Sequence, residues 1–173
     1  MASVNAAEPA VPQAQPLIAP QAGSSTLWGL KASSSSSHFF QTQYTDISYS
    51  NEDTLRTFLW RITGKKFTLL EDRGLARSRV DRIIERVQDV LDIHPENMRI
   101  KIKLLASYKQ GKIASYTRST NTIVIYADKV SDGMFAHEAA HAILCAYFKS
   151  PPPEKMQEIL AQYVDRHLWD DYQ

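Results

Sequence analysis

Two histidines four residues apart, with a glutamate directly after the first, are the residues of this 173-residue chain best suited to chemistry: His137-Glu138-Ala139-Ala140-His141. On a helix four residues overshoot one turn by about 40°, so His137 and His141 stand one above the other and both imidazoles reach a common point. That point suits a metal ion. Glu138 lies about 100° around the helix from His137, where it cannot share the ligand position but can lean over a water beside the metal. The surrounding segment, Met134 to Lys149, is apolar nearly all round, which predicts a helix inside the fold, with Ser131 or Asp132 as its cap. Two imidazoles and a carboxylate buried there need partners, because unsatisfied polar groups are costly in a core.

The single cysteine, Cys145, excludes an internal disulfide and a Cys-rich metal site, so a metal must be held by His and carboxylate ligands. Cys145 itself reads as a small buried hydrophobe. Zinc is the expected metal, since imidazole and carboxylate ligands with one open position are its catalytic arrangement. A third protein ligand is then required. Pro151-Pro152-Pro153 breaks the chain, Pro153 can serve as the first residue of a following helix, and Glu154, Glu158, Asp165 and His167 on that helix are the candidates. Its predicted apolar stripe is Met156, Ile159, Leu160, Tyr163 and Val164. Glu158 points nearly opposite to that stripe and reaches the first helix only if this helix packs on two sides, with small Ala161 allowing close approach.

The elements that must position these residues follow from periodicity. Phe40, Thr42, Tyr44, Ile47 and Tyr49 alternate with a one-residue slip near Asp46, which predicts one bent strand. Ser50 with Asp53 forms a capping-box pattern for a helix carrying Leu55, Phe58, Leu59 and Ile62 that stops at Gly64. A longer helix over about 75–91 carries Val80, Ile83, Ile84, Val87 and Leu91 at helical spacing. Met98, Ile100, Ile102 and Leu104 alternate with Arg99, Lys101 and Lys103 as a half-exposed strand, and turn residues at Gln110-Gly111 and Thr120-Asn121 frame two more strands, 113–117 and 122–126. The order strand, two helices, three strands, two helices makes an α+β domain with one small sheet over residues 38–173.

Residues 1–37 hold four of the eight prolines with many Ala, Gln and Ser, and are expected to be a disordered tail. Val4-Asn5-Ala6 before Ala7-Glu8-Pro9 has the small-residue look of a signal-peptidase cut, which favours an exported protein whose leader is absent from this chain over a cytoplasmic one. No stretch approaches the ~20 apolar residues of a membrane span. With 20 Lys+Arg against 19 Asp+Glu, the chain as a whole offers no field to attract nucleic acid. Residues 61–118 are nevertheless basic, 14 against 7, while 119–173 are acidic, 4 against 8. A solvated helix face and an edge strand guarded by Lys account for the basic stretch.

The segment Asp132 to Leu144 resembles the active-site helix of gluzincins, zinc metalloproteases with a His-Glu-x-x-His helix and a glutamate ligand from a following helix, and Glu158 to Val164 resembles their glutamate helix. The small size is similar to the compact minigluzincins. The resemblance implies a zincin-like fold in which a mixed sheet carries a backing helix, an active-site helix and a glutamate helix. It implies His137, His141 and Glu158 as zinc ligands and Glu138 as general base for peptide hydrolysis, an endopeptidase rather than an exopeptidase. Gln162 stands where larger members often carry an acid that orients a ligand histidine. Tyr163, His167 and Tyr147 are candidates to stabilise the oxyanion, and a peptide or protein substrate is expected to add as a strand along Asn121 to Ala127, with Asn121, Ile123 and Ile125 on the edge. A monomer is expected. The alternative is a non-catalytic, zinc-stabilised peptide-binding domain. Latency, with residues 1–37 or 169–173 lying in the cleft, is a further expectation.

Overall fold

The computed structural model describes residues 37–64 and 72–170. The first predicted strand is in fact a hairpin: β1 (His38–Gln41) and β2 (Thr45–Tyr49) pair antiparallel, with Phe40 opposite Ile47. The slip near Asp46 is the exit from a tight corner. There the Thr42 N–H donates to the Thr45 carbonyl at 2.9 Å, and the two buried threonine hydroxyls lie 2.8 Å apart. Alternation of apolar residues runs straight through so short a corner, which is why it reads as one bent strand.

Helix α1 (Glu52–Thr63) is capped by Asn51, not by the predicted Ser50. The Asn51 Oδ1 accepts the Thr54 N–H at 2.9 Å, and Gly64, at φ 64°, ends the helix in the left-handed conformation that glycine adopts without strain. It buries Leu55, Phe58, Leu59 and Ile62, as the spacing predicts. Helix α2 (Arg73–Leu91) buries Ala76, Val80, Ile83, Ile84 and Val87. The chain continues through β3 (Ile100–Leu105), β4 (Ala114–Thr117) and β5 (Thr122–Tyr126) to α3 (Asp132–Tyr147) and α4 (Glu154–His167). Pro153 is the cap of α4 rather than its first helical residue.

The five strands form one mixed sheet in the order β1-β2-β3-β5-β4, parallel in the middle and antiparallel at both ends. Ile100, Ile102 and Leu104 are buried while Lys101 and Lys103 are exposed, and β2 and β5 alternate in the same sense, so the helices cover one face. The lysines attributed to an edge therefore sit on the open face of a central strand. Strand β5, expected to offer its edge to substrate, is paired on both sides, and Ile123 and Ile125 are fully buried. Among the described residues the edge at this end of the sheet is β4, because the chain leaving β3 skips one strand position before returning to fill it.

Helix α3 is the centre of the core and touches α1, α2, α4 and β4. Phe135 meets Phe58 of α1 edge to face at a centroid distance of 5.7 Å, with both rings fully buried. The result is an α+β fold of the predicted order, with its first strand doubled. Apart from Ser37, the expected tail lies outside the described residues, as do residues 171–173 of the segment expected to plug the cleft. Among the described residues no helix is long and apolar enough to cross a membrane.

Replacing Asn51 by alanine is predicted to lower stability by about 1 kcal/mol, while Ser50→Ala is nearly neutral. Urea unfolding of the two variants checks this; the reverse ranking would return the cap to Ser50.

Candidate metal centre

The candidate site is made where α3 and α4 cross. Ser131 caps α3 through its hydroxyl, which accepts the Met134 N–H at 3.2 Å, so Ser131 rather than Asp132 is the cap. Downstream, Phe135, Ala136, Ala139, Ala140, Ala142, Ile143 and Leu144 are buried, leaving His137, Glu138 and His141 as a half-buried polar strip. The two rings stand edge to face, 5.1 Å between centroids, as the four-residue spacing requires.

Helix α4 meets α3 through a different face from the one its apolar pattern suggests. Met156, Ile159 and Tyr163 are exposed, and the buried residues are Ala161 and Val164, followed by Leu168. The turn of the helix that brings small Ala161 against α3 also brings Glu158 there, three residues and almost one turn away. Gly133 of α3 takes part in the same close approach, since a Cβ at that position would run into the Asp165 carboxylate of α4. Glu158 therefore needs no second packing face; the helix is simply rotated away from its larger apolar residues.

The Glu158 Oε1 lies 3.6 Å from His137 Nε2, and Oε2 lies 3.6 Å from His141 Nε2. Those separations exceed hydrogen-bond length. An ion that binds at about 2.0–2.1 Å in tetrahedral geometry spaces its ligand atoms about 3.3–3.4 Å apart, close to what is found. Among the described residues this is the one group of three His, Cys, Asp or Glu side chains whose donor atoms lie within 4.8 Å of one another. The donor set thus fits a divalent cation with nitrogen and oxygen preference. The Gln162 amide donates to Glu158 Oε1 at 3.0 Å. That hydrogen bond, assisted by the nearby imidazoles and Lys112, holds the Glu158 carboxyl below its ordinary range against the opposing effect of partial burial. Gln162 thus steadies the glutamate, not a histidine as its position by resemblance suggests.

Glu138 is outside the group, and its Oε2 accepts the backbone N–H of Tyr116 at 2.7 Å. This contact explains which way β4 faces. The Tyr126 N–H donates to the Ile113 carbonyl across the β4/β5 pair, so by alternation Ser115 and Thr117 bond toward β5 while Ala114 and Tyr116 turn their backbone groups to the free edge. Tyr116 is the residue that sequence reasoning missed. Its phenol lines the cleft, donates to Asn121 Oδ1 at 3.2 Å, and has its pKa pushed up to about 12 by burial and the neighbouring Cys145 thiol. The only advance signal was its place on a short strand just ahead of the motif helix.

Two cavities of about 560 and 390 Å³ share Lys112, His137 and Glu138 as common lining. Of the other residues predicted for the site, Glu154 lines the larger cavity and Asp165 the smaller, and neither joins the ligand group. His167 instead pairs through Nδ1 with Asp170. Tyr163 and His167 lie about 140° and 180° around α4 from Glu158 and pack on each other, with centroids 4.2 Å apart; neither lines the cleft. Tyr147 is exposed against Phe148. None of the three expected oxyanion stabilisers lines either cavity, whereas Tyr116, Lys112 and Arg118 line the larger one.

Gly133→Ala is predicted to cost about 1–3 kcal/mol, because the new methyl displaces Asp165 and loosens the helix crossing. In an Asp165→Ala background the same change is predicted to be neutral or stabilising by up to about 1 kcal/mol, the usual gain of alanine over glycine in a helix. Chemical denaturation of the four proteins in this cycle measures the coupling, and additive effects would contradict the contact. Compared with protein-family models, curated proteins and solved structures, the chain matches none of them, so a functional reading rests on these residues alone.

Proposed function

We propose that the chain is a zinc-dependent endopeptidase in which His137, His141 and Glu158 hold the metal and Glu138 is the general base. The observation that carries this reading is the convergence of two imidazoles and the Glu158 carboxylate, each imidazole nitrogen 3.6 Å from a carboxylate oxygen and the donor atoms within 4.8 Å of one another, beside a second carboxylate that is not one of them. A purely structural zinc site closes its fourth position and has no use for such a neighbour. Bound zinc would supply Lewis acidity, which acidifies water and polarises a carbonyl.

The chain's own residues do the rest. Tyr116 fixes Glu138 through Oε2, and among the described residues Oε1 makes no hydrogen bond, so Oε1 takes the proton from water and later delivers it to the leaving amine nitrogen. Gln162 keeps Glu158 turned toward the imidazoles. The outer edge of β4 offers the Ala114 backbone groups and the Tyr116 carbonyl to an extended peptide, the Tyr116 N–H being held by Glu138, and replaces β5 in the role first expected of it. The site stands between two cavities that share His137 and Glu138, which suits a chain running past on both sides of the cut and hence internal cleavage. All of these groups belong to one chain, so the reading requires no second subunit.

Glu138→Gln is predicted to retain one zinc per chain while cleavage of a peptide mixture falls about 10²–10⁴-fold. Glu158→Ala is predicted to lose the metal and the activity together. Elemental analysis paired with mass-spectrometric detection of cleaved peptides checks both. Undiminished cleavage by Glu138→Gln would remove that residue from its role, and zinc with no cleavage in the parent chain would favour the peptide-binding alternative.

A further inference from the structure

A second cavity, of about 530 Å³, lies away from the candidate metal centre where α1 and α2 meet the start of α3 and the end of α4. Its floor is apolar, formed by the buried side chains of Ile62 and Ile83. Three guanidinium groups line it: Arg61 from α1, and Arg79 with Arg82 from one face of α2. Arg79 and Arg82 are three residues apart, a spacing at which like charges repel. Among the described residues neither makes a hydrogen bond or ion pair.

Among the described residues one carboxylate lines the cavity; it offsets one of the three charges but pairs with none of the guanidinium groups. Asp132 Oδ1 accepts the Gly133 N–H at 2.9 Å and Oδ2 accepts the Trp169 indole N–H at 2.7 Å. Two walls are held in place before any ligand arrives. Arg61 donates from Nε to the Val130 carbonyl at 3.1 Å and from Nη2 to the Lys129 carbonyl at 3.3 Å, which fixes the plane of its guanidinium and leaves Nη1 to the cavity. Trp169 is pinned by Asp132, and the turn that carries it is clamped to α2 by Arg86, whose Nε and Nη2 donate to the Leu168 and Asp170 carbonyls at 3.1 and 2.9 Å. Its ring is a fixed aromatic wall, 48% exposed.

From this we infer that the cavity is a binding site for a phosphate-type dianion, preferentially one carried on an apolar or aromatic body. Three cations against one engaged carboxylate leave two positive charges, which a dianion balances. Forked guanidinium donors match its oxygens, and preorganised walls reduce the ordering cost of binding. The apolar floor and the indole accept the body of the ligand. This site owes nothing to the proposed zinc chemistry.

Isothermal titration of the full chain with phenyl phosphate, and separately with inorganic phosphate, tests it. Phenyl phosphate is expected to bind with a dissociation constant of about 1 mM or tighter and to weaken at least about tenfold in Arg79→Gln/Arg82→Gln, which keeps the side-chain stems and the fold. Affinity is expected to survive in Glu158→Ala, which separates this cavity from any anion held at the metal centre. Trp169→Ala is expected to weaken phenyl phosphate but not inorganic phosphate if the natural ligand is organic. Equal affinity of the parent chain for both anions, still lost in the arginine variant, would support a free phosphate as ligand. No binding by the parent chain at 10 mM, on the order of ten times the expected constant, or binding that the arginine variant retains in full, would overturn the inference.

Discussion

The close crossing of α3 and α4 is the constraint on which the rest depends. Helices whose contact is made by Gly133 and Ala161 approach more nearly than helices separated by leucines. Only at that separation can a side chain as short as Glu158 set its two oxygens opposite two imidazoles on the neighbouring helix. Larger residues at either position would leave the histidines facing water. The cost appears on the other side of α4, where Met156, Ile159 and Tyr163 stay exposed because the buried face is given to Ala161 and Val164.

The rest of the fold supports that crossing. Helices α1 and α2 pack against α3 and bury one side of it, with Phe58 against Phe135 as the best-defined contact, and α1 in turn rests on β2 and β3. They leave a single half-buried strip of His137, Glu138 and His141 on the side facing α4 and β4. Strand β4, short and antiparallel at the end of the sheet, then contributes the Tyr116 N–H that aims Glu138. His137 and His141 face the Glu158 carboxylate of α4, Glu138 accepts the Tyr116 N–H of β4, and among the described residues no fully buried side-chain nitrogen or oxygen lacks a hydrogen-bond partner.

Much of this was legible in the sequence wherever local periodicity decided the outcome. Helices α1, α2 and α3, the strands β3 to β5 and the stacking of His137 on His141 follow from spacings of two, three and four residues. What was not legible depended on long-range choices. The three-residue corner at Thr42 to Tyr44 preserves alternation and so hides a turn. Strand order is invisible to periodicity, so β5 passed for an edge although β4 occupies it. The orientation of α4 was misjudged because an apolar stripe normally faces the core, and here the helix crossing overrides it. The same rotation carries Tyr163 and His167 away from the cleft. Tyr116 acts through its backbone, which no residue type announces.

X-ray absorption at the zinc edge, on the chain loaded with one equivalent of zinc, tests the proposed centre most directly. The predicted result is four nitrogen or oxygen scatterers at about 2.0–2.1 Å, with the outer-shell signature of two imidazoles. A sulfur at about 2.3 Å, which would place Cys145 in the coordination shell, or zinc that washes off without a defined shell, would contradict a centre built from His137, His141 and Glu158.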